Sequence, residues 1–279
     1  MNNKIYIKLS IIMVENFNKI SKTLFVPMYG RIYTTEHFPN ILNDETAIKL
    51  KNKIPPEEKP QSQYTYIASA VRSRNIDKYI DNFLKTNPEG IIVEIGCGLE
   101  TTYFRHPNIK TTFYDLDLPE VINYREKIIP LGEYQKMIKG DLFKEDWIEQ
   151  IKKECGNKPI LIIAGGVFHY FERKNVVNAI KNMLKFDNAE LVFDALNSLG
   201  IKGIKKYMKE LGHSDATMYF YVNDPNELAK EIGPNVEVIE EIKYYSMTPT
   251  EGLDFMTKLQ MNGADLFYMV KMIHLKLKK

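Results

Sequence analysis

Two glycines at the end of an apolar run are the first residues whose spacing suggests ligand chemistry. The run Ile91–Ile95 carries one acid, Glu94, and breaks into Gly96-Cys97-Gly98 before a segment with helical character. A glycine-rich turn between a strand and a helix lets a ligand approach the backbone closely, and such turns usually receive a nucleotide. Taken alone, the pair is also compatible with a plain tight turn.

Three aspartates follow at positions where acids serve nucleotide binding. Asp115 and Asp117 stand 19 and 21 residues beyond Gly96, at the end of the next predicted strand. A carboxylate there can accept hydrogen bonds from the ribose hydroxyls of a nucleotide that lies across the strand ends. Asp117 also precedes a predicted helix and is a candidate N-cap, but capping needs only one of the two acids. Asp141, after the third strand, is a candidate acceptor for an adenine amino group or a simple turn residue.

The make-up of this set separates two classes of nucleotide. A dinucleotide-binding turn has the pattern G-x-G-x-x-G, but Thr101 stands at the third glycine position. Glu94 lies beneath the predicted turn, where an acid suits a cationic ligand better than an anionic pyrophosphate. S-adenosylmethionine is such a cation, and it needs a ribose acceptor and an adenine pocket but no phosphate cradle. The set therefore favours S-adenosylmethionine over a nicotinamide dinucleotide.

Alternating apolar runs and helical segments predict the elements that position these side chains. Apolar residues recur at helical spacing from Tyr64 to Leu84. The strand candidates that follow are residues 91–95, 111–116, 134–138, 159–166 and 189–196, with helices at 118–128 and 172–186. This alternation is typical of a doubly wound α/β sheet. Two further strand candidates, 235–245 and 264–278, have at most a short helix between them and fit a final pair with one member reversed.

Length and composition are those of an ordinary globular protein. The 279 residues carry a formal net charge of +2, which gives no electrostatic reason to expect a nucleic-acid partner. The two cysteines, Cys97 and Cys155, have no metal-ligand spacing, so we predict no metal site and a reducing cytoplasm as the location. The N-terminal apolar stretch is interrupted by Lys8 and ends at Glu15, and no run approaches the ~20 apolar residues of a membrane span. We therefore expect no membrane association.

Six stretches, in order along the chain, carry a resemblance to a known family. They are "SAVRSRNIDKYIDNFL", "IIVEIGCGLETTYFR", "FYDLDLPEVINYRE", "KGDLFKEDWIEQI", "PILIIAGGVFHYFE" and "AELVFDAL", and "LFVPMYGR" near the start is also similar. Together they resemble the leucine carboxyl methyltransferase-like S-adenosylmethionine enzymes, and most closely the bacterial branch that includes O-methyltransferases of polyketide biosynthesis. The likeness spans roughly residues 20–279.

The resemblance implies a fold and a division of the chain. The expected fold is α/β, a Rossmann-like class I methyltransferase with a mostly parallel twisted sheet, a reversed C-terminal strand and an N-terminal helical cap. Residues 1–62 would form the cap or lid, and residues 63–279 would form the S-adenosylmethionine-binding domain.

The resemblance also implies roles for individual residues. Arg72 falls where the family's arginine holds the methionyl carboxylate, which a guanidinium can grip in a bidentate manner. Asp117 matches the ribose-binding acid, with Asp115 as a second candidate. The positions predicted to lie against the cofactor are Arg72, Glu94, Gly96, Gly98, Asp115, Asp117, Asp141, Leu142 and Gly165, with Asp141 and Leu142 lining the adenine.

Two positions depart from the family pattern. Gly165 stands where the family usually has a glutamate that faces the amino end of the cofactor. The departure implies that this contact is weakened or is left to another acid, and Glu172 is near in sequence. Glu100 stands where the family tends to have aspartate, a milder change.

The expected activity is methyl transfer from S-adenosylmethionine to a carboxyl or hydroxyl group of a small molecule. Such a displacement depends mainly on holding two reactants in line, which can supply ~7–11 kcal/mol of the barrier. A carboxylate is already ionised at pH 7, whereas a hydroxyl acceptor benefits from a base. His169, just after the fourth strand, is the weak candidate for that base, and a histidine satisfied by backbone groups is the alternative reading.

Other readings stay open at this point. His37 is a weaker candidate base within the cap, whose tyrosines could wall an apolar substrate or be ordinary packing: Tyr29, Tyr33, Tyr64 and Tyr66. Gly165 leaves room for a catalytically silent binder of S-adenosylmethionine. A protein carboxyl methyltransferase is a further alternative, and a nicotinamide oxidoreductase is disfavoured by Thr101 and Glu94.

Overall fold

The computed structural model describes residues 24–210 and 218–278, without the side chains of residues 205–210. The N-terminal apolar stretch and the rest of residues 1–23 of the predicted cap therefore lie outside the described residues. Every residue that the sequence named as a cofactor contact lies inside them.

Seven strands form one sheet in the order β3-β2-β1-β4-β5-β7-β6. They are β1 (Ile91–Ile95), β2 (Phe113–Asp117), β3 (Gln135–Lys139), β4 (Ile160–Ala164), β5 (Asn188–Leu196), β6 (Val236–Lys243) and β7 (Val270–Lys278). The pairs among β1 to β5 are parallel, whereas β7 is antiparallel to both β5 and β6. The predicted α/β fold with a reversed C-terminal strand is confirmed.

The central strands are buried on both faces, which explains their nearly unbroken apolar sequences. Every residue of β1 and β4 is buried. The helices of the described chain are α1 (Phe25–His37), α2 (Glu45–Leu50), α3 (Gln63–Thr86), α4 (Thr102–Arg105), α5 (Pro119–Ile128), α6 (Asp146–Cys155), α7 (Arg173–Met183), α8 (Ser198–Glu210), α9 (Pro225–Ile232) and α10 (Phe255–Leu266). One apolar cluster joins the sheet to α6, α7 and α9, and a second joins it to α3 and α10.

Helix α10 corrects the sequence-based prediction for the C-terminal region. Residues 264–266 end a twelve-residue helix instead of beginning a strand, and β7 starts only at Val270. The side chain of Asp254 caps the helix by accepting from Thr257 N at 2.6 Å. Met261 and Ala264 then pack into the core. This three-residue spacing is helical, but the apolar residues at 266–270 obscured it in the sequence.

The helix after the glycine turn is short. It spans just Thr102–Arg105, and His106 leaves the helical conformation before Pro107. A residue that precedes proline is disfavoured in the helical region, which accounts for the early end. The turn is therefore followed by a short helix that other side chains must hold in place.

The N-terminal helices pack against α5 and the residue that follows the glycine turn, Leu99, through an apolar cluster. Met28 and Ile32 of α1 meet Ala47 and Leu50 of α2 and Ile128 of α5. Gly30 lets α1 approach α3 closely, because a Cβ atom placed there would lie 2.7 Å from Ser69 Cβ. The division of the chain into a lid and a binding domain stays a prediction.

Among the described helices, none has the combination of length and apolar character required to cross a bilayer. The described part of the chain also contains no group of three His, Cys, Asp or Glu side chains placed to hold a metal ion.

Candidate cofactor and acceptor site

A cavity of about 970 Å³ lies at the carboxyl ends of the parallel strands. Ligands of doubly wound sheets bind at this edge, and the volume suits a small-molecule site. The sequence-predicted residues that line it are Arg72, Gly96, Gly98, Asp117, Asp141, Leu142, Gly165 and His169. The structure thus brings together most of the predicted set, and leaves out Glu94 and Asp115.

The glycine turn has a shape that needs its glycines. Gly96 and Gly98 have φ values of 63° and 47°, in the left-handed region that residues with a Cβ atom rarely adopt. A Cβ atom on Gly96 would also lie 2.4 Å from Val167 Cγ2. Between them, Cys97 is fully buried, as expected for a small filler of the turn. The turn therefore leaves an open wall against which a ligand can lie.

Two buried arginines hold the backbone of this turn from behind. Arg125 Nη1 donates to the carbonyl oxygens of Gly98, at 3.2 Å, and Glu100, at 2.5 Å. Arg31 Nη2 donates to the carbonyl oxygen of Leu99 at 2.7 Å. Three successive carbonyl groups are thus fixed by guanidinium groups, one from α1 and one from α5. Sequence reasoning singled out neither arginine.

Thr101, at the position of the missing third glycine, ties the turn to the N-terminal helices. It is buried, and its hydroxyl donates to Asp44 Oδ2. Asp44 also accepts from Arg31 Nε and Arg105 Nη1, each at 3.2 Å. Burial opposes the charge of Asp44, but Arg105 and Arg31 outweigh it and hold the pKa of this carboxyl below its usual value. Sequence analysis did not find this ion-pair network, because its members are far apart along the chain.

Asp117 lies at the end of β2 and closes the turn. Its two carboxylate oxygens accept from Gly98 N at 2.8 Å and from Leu118 N at 2.7 Å. The N-cap of α5 is Leu118, with no side-chain cap bond, so the alternative role of Asp117 as an N-cap is not what the structure shows. Burial raises the pKa of Asp117. Because a carboxylate offers about four lone pairs, Asp117 can still accept from a ligand.

Asp115 and Glu94 lie behind the turn, which corrects their prediction as cofactor contacts. They are neighbours in the β1–β2 register, and neither lines the cavity. Asp115 is fully buried and accepts from Arg125 Nη2 at 3.0 Å and from Gln135 Nε2. Asp115 is therefore not placed to meet a ligand in the cavity, whereas Asp117 is.

Glu94 does not supply a charge to attract a cation. It is 2% exposed, and its Oε1 accepts from Thr102 Oγ1 at 2.9 Å. Burial, reinforced by the nearby Asp115 carboxylate, raises the pKa of Glu94 to about 8. Burial therefore favours the neutral form of this carboxyl group, so the structure gives no support to the argument that an acid beneath the turn attracts a cationic ligand.

Arg72 and His169 meet at a carboxylate that the sequence analysis did not single out. Asp194, at the end of β5, accepts from Arg72 Nε at 2.9 Å, from Gly166 N at 2.6 Å and from His169 Nε2 at 3.1 Å. Burial opposes its charge, but Arg72 and His169 outweigh burial and keep the pKa of Asp194 well below its usual range. Asp194 could have been found in the sequence as an acid near the carboxyl end of a predicted buried strand, as Asp117 was.

Arg72 and His169 each have nitrogen atoms that do not bind Asp194. Arg72 Nε binds Asp194, and the two Nη atoms lie close to Gly166. A Cβ atom added to Gly166 would be 2.6 Å from Nη1. His169 is 4% exposed, and its Nδ1 makes no hydrogen bond within the described residues. The ring is thus bound by a carboxylate and not by backbone groups.

Gly165 lines the cavity beside Arg72. A Cβ atom there would lie 2.7 Å from Ile76 Cδ1 and 3.2 Å from Arg72 Cδ, so a side chain would require Ile76 to move. Glu172 is exposed at the start of α7 and does not line the cavity. Glu172 therefore does not replace a carboxylate at position 165.

The other end of the cavity is apolar and aromatic. Its walls include Leu196, Ile204, Met218, Phe267 and Met269, together with Tyr64, Tyr244 and Tyr245. Tyr244 donates its hydroxyl to the carbonyl oxygen of Ala68 at 2.9 Å. The sequence analysis missed Tyr244 and Tyr245, which follow β6 and reach the site through the fold.

The predicted aromatic cap is mostly packing. Of its four tyrosines, Tyr64 lines the cavity, whereas Tyr33 stacks on Tyr66 with ring centroids 4.5 Å apart. Tyr29 donates to the carbonyl oxygen of Pro55 at 2.9 Å. His37 packs its ring against Tyr33 and is absent from the cavity wall. Neither His37 nor the three remaining tyrosines is placed to contact a ligand there.

A family model described as leucine carboxyl methyltransferase matches residues 27–184, which is more than half of the chain. This chain belongs to the leucine carboxyl methyltransferase family. It is an S-adenosylmethionine-dependent methyltransferase, and S-adenosylmethionine is its cofactor. The resemblance inferred from the six sequence stretches is confirmed.

A curated relative within this family is the tetracenomycin polyketide synthesis O-methyltransferase TcmP of Streptomyces glaucescens. It is 24% identical over 217 residues, which cover 76% of this chain and 79% of the relative. The match supports the bacterial polyketide-type branch of the family.

Solved structures of other methyltransferases share the fold. The magnesium protoporphyrin IX methyltransferase of Synechocystis PCC 6803, with bound S-adenosylhomocysteine, is 12% identical and has a TM-score of 0.50 over 89% of this chain and 98% of that chain. A DUF574 family protein of Streptomyces avermitilis MA-4680 is 11% identical and has a TM-score of 0.57 over 90% of this chain and 97% of that chain. At these identities the likeness shows the fold alone.

Proposed function

We propose that this methyltransferase acts on an oxygen atom of a small molecule, either a hydroxyl or a carboxyl group. The observation that carries the proposal is a cavity of about 970 Å³ that is polar at the glycine turn and apolar at its other end. Such a volume holds the cofactor and a compact acceptor together. The name of TcmP, an O-methyltransferase of polyketide synthesis, supports oxygen as the accepting atom.

The residues at the polar end fit S-adenosylmethionine in type and position. The Nη atoms of Arg72 would hold the methionyl carboxylate, and Asp117 would accept from the ribose hydroxyls. Asp141 and Leu142 line the cavity at the end of β3 and would flank the adenine. Asp141 Oδ1 accepts from Phe143 N at 2.9 Å, which fixes its carboxylate and leaves Oδ2 for an amino group. The left-handed glycines leave the room that the cofactor needs.

The cofactor, when bound, supplies an electrophilic methyl group on a sulfonium centre. The protein's part is to hold the acceptor oxygen in line with that methyl group and to exclude water from the apolar end of the cavity. For a hydroxyl acceptor, His169 would take the proton. Asp194 accepts from Nε2–H, which fixes the ring and makes Nδ1 the proton-accepting nitrogen.

Of the two acceptor groups, the described lining favours a hydroxyl. Both arginines of the lining are already assigned: Arg72 pairs with Asp194 and would hold the methionyl carboxylate, and Arg31 pairs with Asp44 and Glu100. A carboxylate acceptor would enter a wall of tyrosines and aliphatic side chains without a cation reserved for it. A neutral hydroxyl incurs a much smaller desolvation cost there.

A matched pair of acceptors tests this proposal. We would measure formation of S-adenosylhomocysteine with 2-naphthol and with 2-naphthoic acid, which share an aromatic body and differ in the accepting group. Turnover of the naphthol above that of the acid is the expected result. Faster turnover of the acid would transfer the proposal to carboxyl acceptors, and binding of S-adenosylhomocysteine without turnover on a broad panel of oxygen acceptors would favour the silent binder.

A further inference from the structure

Glu100 presents a carboxylate to the cavity from the far end of the glycine turn. Its side chain is 17% exposed and belongs to the cavity wall. Oε1 accepts from Arg31 Nη1, and Oε2 accepts from Ser73 Oγ at 3.2 Å. The carboxylate is therefore oriented by α1 and α3 together, while each oxygen keeps a lone pair for a further donor.

Glu100 and Arg72 form the two ends of one charged region. Ser73, which donates to Glu100, follows Arg72 directly in α3. Burial opposes the charge of Arg72, whereas Asp194 and, with a smaller contribution, Glu100 raise its pKa. A ligand group that carries a carboxylate and an ammonium on neighbouring atoms matches an arginine and a glutamate placed in this way.

Glu100 is the cavity-facing member of a cluster of carboxylates. The carboxylates of Asp44, Asp77 and Glu100 share the guanidinium groups of Arg31 and Arg105, and His106 also contacts Asp77. Asp44 is fully buried and Asp77 does not line the cavity. Glu100 is therefore the member of the cluster that a cation in the cavity can reach.

The other carboxylates of the described cavity wall are committed elsewhere. Asp194 already receives three donors on its two oxygens. Asp117 and Asp141 follow β2 and β3, on the opposite side of β1 from the β4–β5 edge where Gly165 and Gly166 approach Arg72. Gly165 itself carries no side chain.

We propose that Glu100 binds the α-ammonium group of the cofactor while Arg72 holds the α-carboxylate. The assignment rests on the proposed use of the cavity, and it gives the chain an acid for the amino end of the cofactor despite Gly165. The ammonium would donate to Glu100 in a charge-assisted hydrogen bond.

The test compares two ligands that differ by the amino group. Calorimetry would give the Kd of S-adenosylhomocysteine and of its desamino analogue, which keeps the carboxylate, for the wild type and for Glu100→Gln. We expect Glu100→Gln to weaken S-adenosylhomocysteine roughly ten- to hundredfold and to change the desamino analogue less than about twofold. Glu172→Gln is the matched control and should change neither, because Glu172 is exposed outside the cavity.

Equal weakening of both ligands by Glu100→Gln would overturn the assignment, since Glu100 would then act through Arg31 and the turn. An unchanged Kd for S-adenosylhomocysteine would overturn it as well. Should Glu100→Gln fail to fold, Glu100→Asp keeps the charge beside Arg31 and withdraws the carboxylate, and it must still weaken S-adenosylhomocysteine more than the desamino analogue. A folded wild type that binds neither ligand would defeat the proposed function together with this inference.

Discussion

His169 Nε2 lies 3.1 Å from Asp194 Oδ2, while the opposite ring nitrogen is buried without a hydrogen-bond partner in the described part of the chain. A carboxylate on one side of an imidazole selects the tautomer that leaves the other nitrogen able to accept a proton. The geometry therefore gives His169 a defined role to test, and it gives Asp194 the role of positioning both His169 and Arg72.

We expect His169→Gln to lower kcat for a hydroxyl acceptor by ~10²–10⁴-fold, the usual effect of losing a general base. The Kd of S-adenosylhomocysteine should stay within about twofold, because the ring is not assigned to the cofactor. The measurement is kcat as a function of pH, in parallel with calorimetry. A rate that recovers as the pH approaches the pKa of the acceptor would identify the missing base, whereas an unchanged kcat at pH 7 would remove His169 from the reaction.

The two aspartates at the end of β2 should respond to substitution in different ways. Asp117→Asn is expected to weaken S-adenosylhomocysteine by roughly tenfold or more, since hydrogen bonds to a charged acceptor contribute ~1.5–3 kcal/mol. Asp115→Asn should act mainly on stability, because removing one partner of a buried ion pair costs ~3–5 kcal/mol. Calorimetry and urea unfolding of both variants make the comparison, and a binding loss confined to Asp115→Asn would reverse the assignment.

Glu94 makes stability depend on pH in a defined direction. Its pKa is about 8 in the folded protein and has an ordinary value of 4.5, so the folded state retains a proton that the unfolded state releases. The stabilisation is complete below about pH 4.5 and is lost as the pH rises through about 8. The free energy of unfolding of the wild type should therefore fall, relative to that of Glu94→Gln, between pH 5 and pH 8. A difference between the two proteins that does not change with pH would show that Glu94 is ionised when folded.

Asp44 tests whether the N-terminal helices form an independent lid. Asp44→Ala leaves Arg31 and Arg105 without their shared buried partner, and we expect a loss of ~3–5 kcal/mol in a single unfolding transition. Because Arg31 also holds Leu99, the variant should bind S-adenosylhomocysteine more weakly. Two separate thermal transitions, or a stable variant with unchanged binding, would instead support a lid that moves on its own.

Local pattern was sufficient to predict the sheet, the glycine turn and the aspartate that closes it. The buried strands carry their signal in consecutive residues, and Asp117 follows its strand at a fixed distance from Gly96. Asp194 also lies near the carboxyl end of a buried strand, β5. However, no motif around it distinguishes it from the other acidic residues in strands. Its role depends on Arg72, 122 residues away, and such pairings are properties of the fold.

The direction of side chains was a second property that the sequence could not predict. Asp115 and Asp117 are two residues apart on one strand, and the sequence treated them as alternatives. The structure separates them by depth, because Asp115 faces Arg125 beneath the turn and Asp117 sits at the strand end beside Gly98. The strand prediction over residues 264–278 was wrong at its start for a related reason. The buried face of helix α10 is defined by Met261 and Ala264, which pack against the sheet only in the folded protein.

The carbonyl groups held by Arg31 and Arg125 bear on the thermodynamics of binding. A loop that is ordered only by its ligand loses backbone entropy on association, at about 1–2 kcal/mol per residue at 25 °C. Here the Gly98–Glu100 segment is fixed by guanidinium groups that are part of the folded core, so this ordering has already taken place during folding. The cofactor therefore binds a preorganised surface, and the entropy cost of ordering this segment does not reduce its affinity.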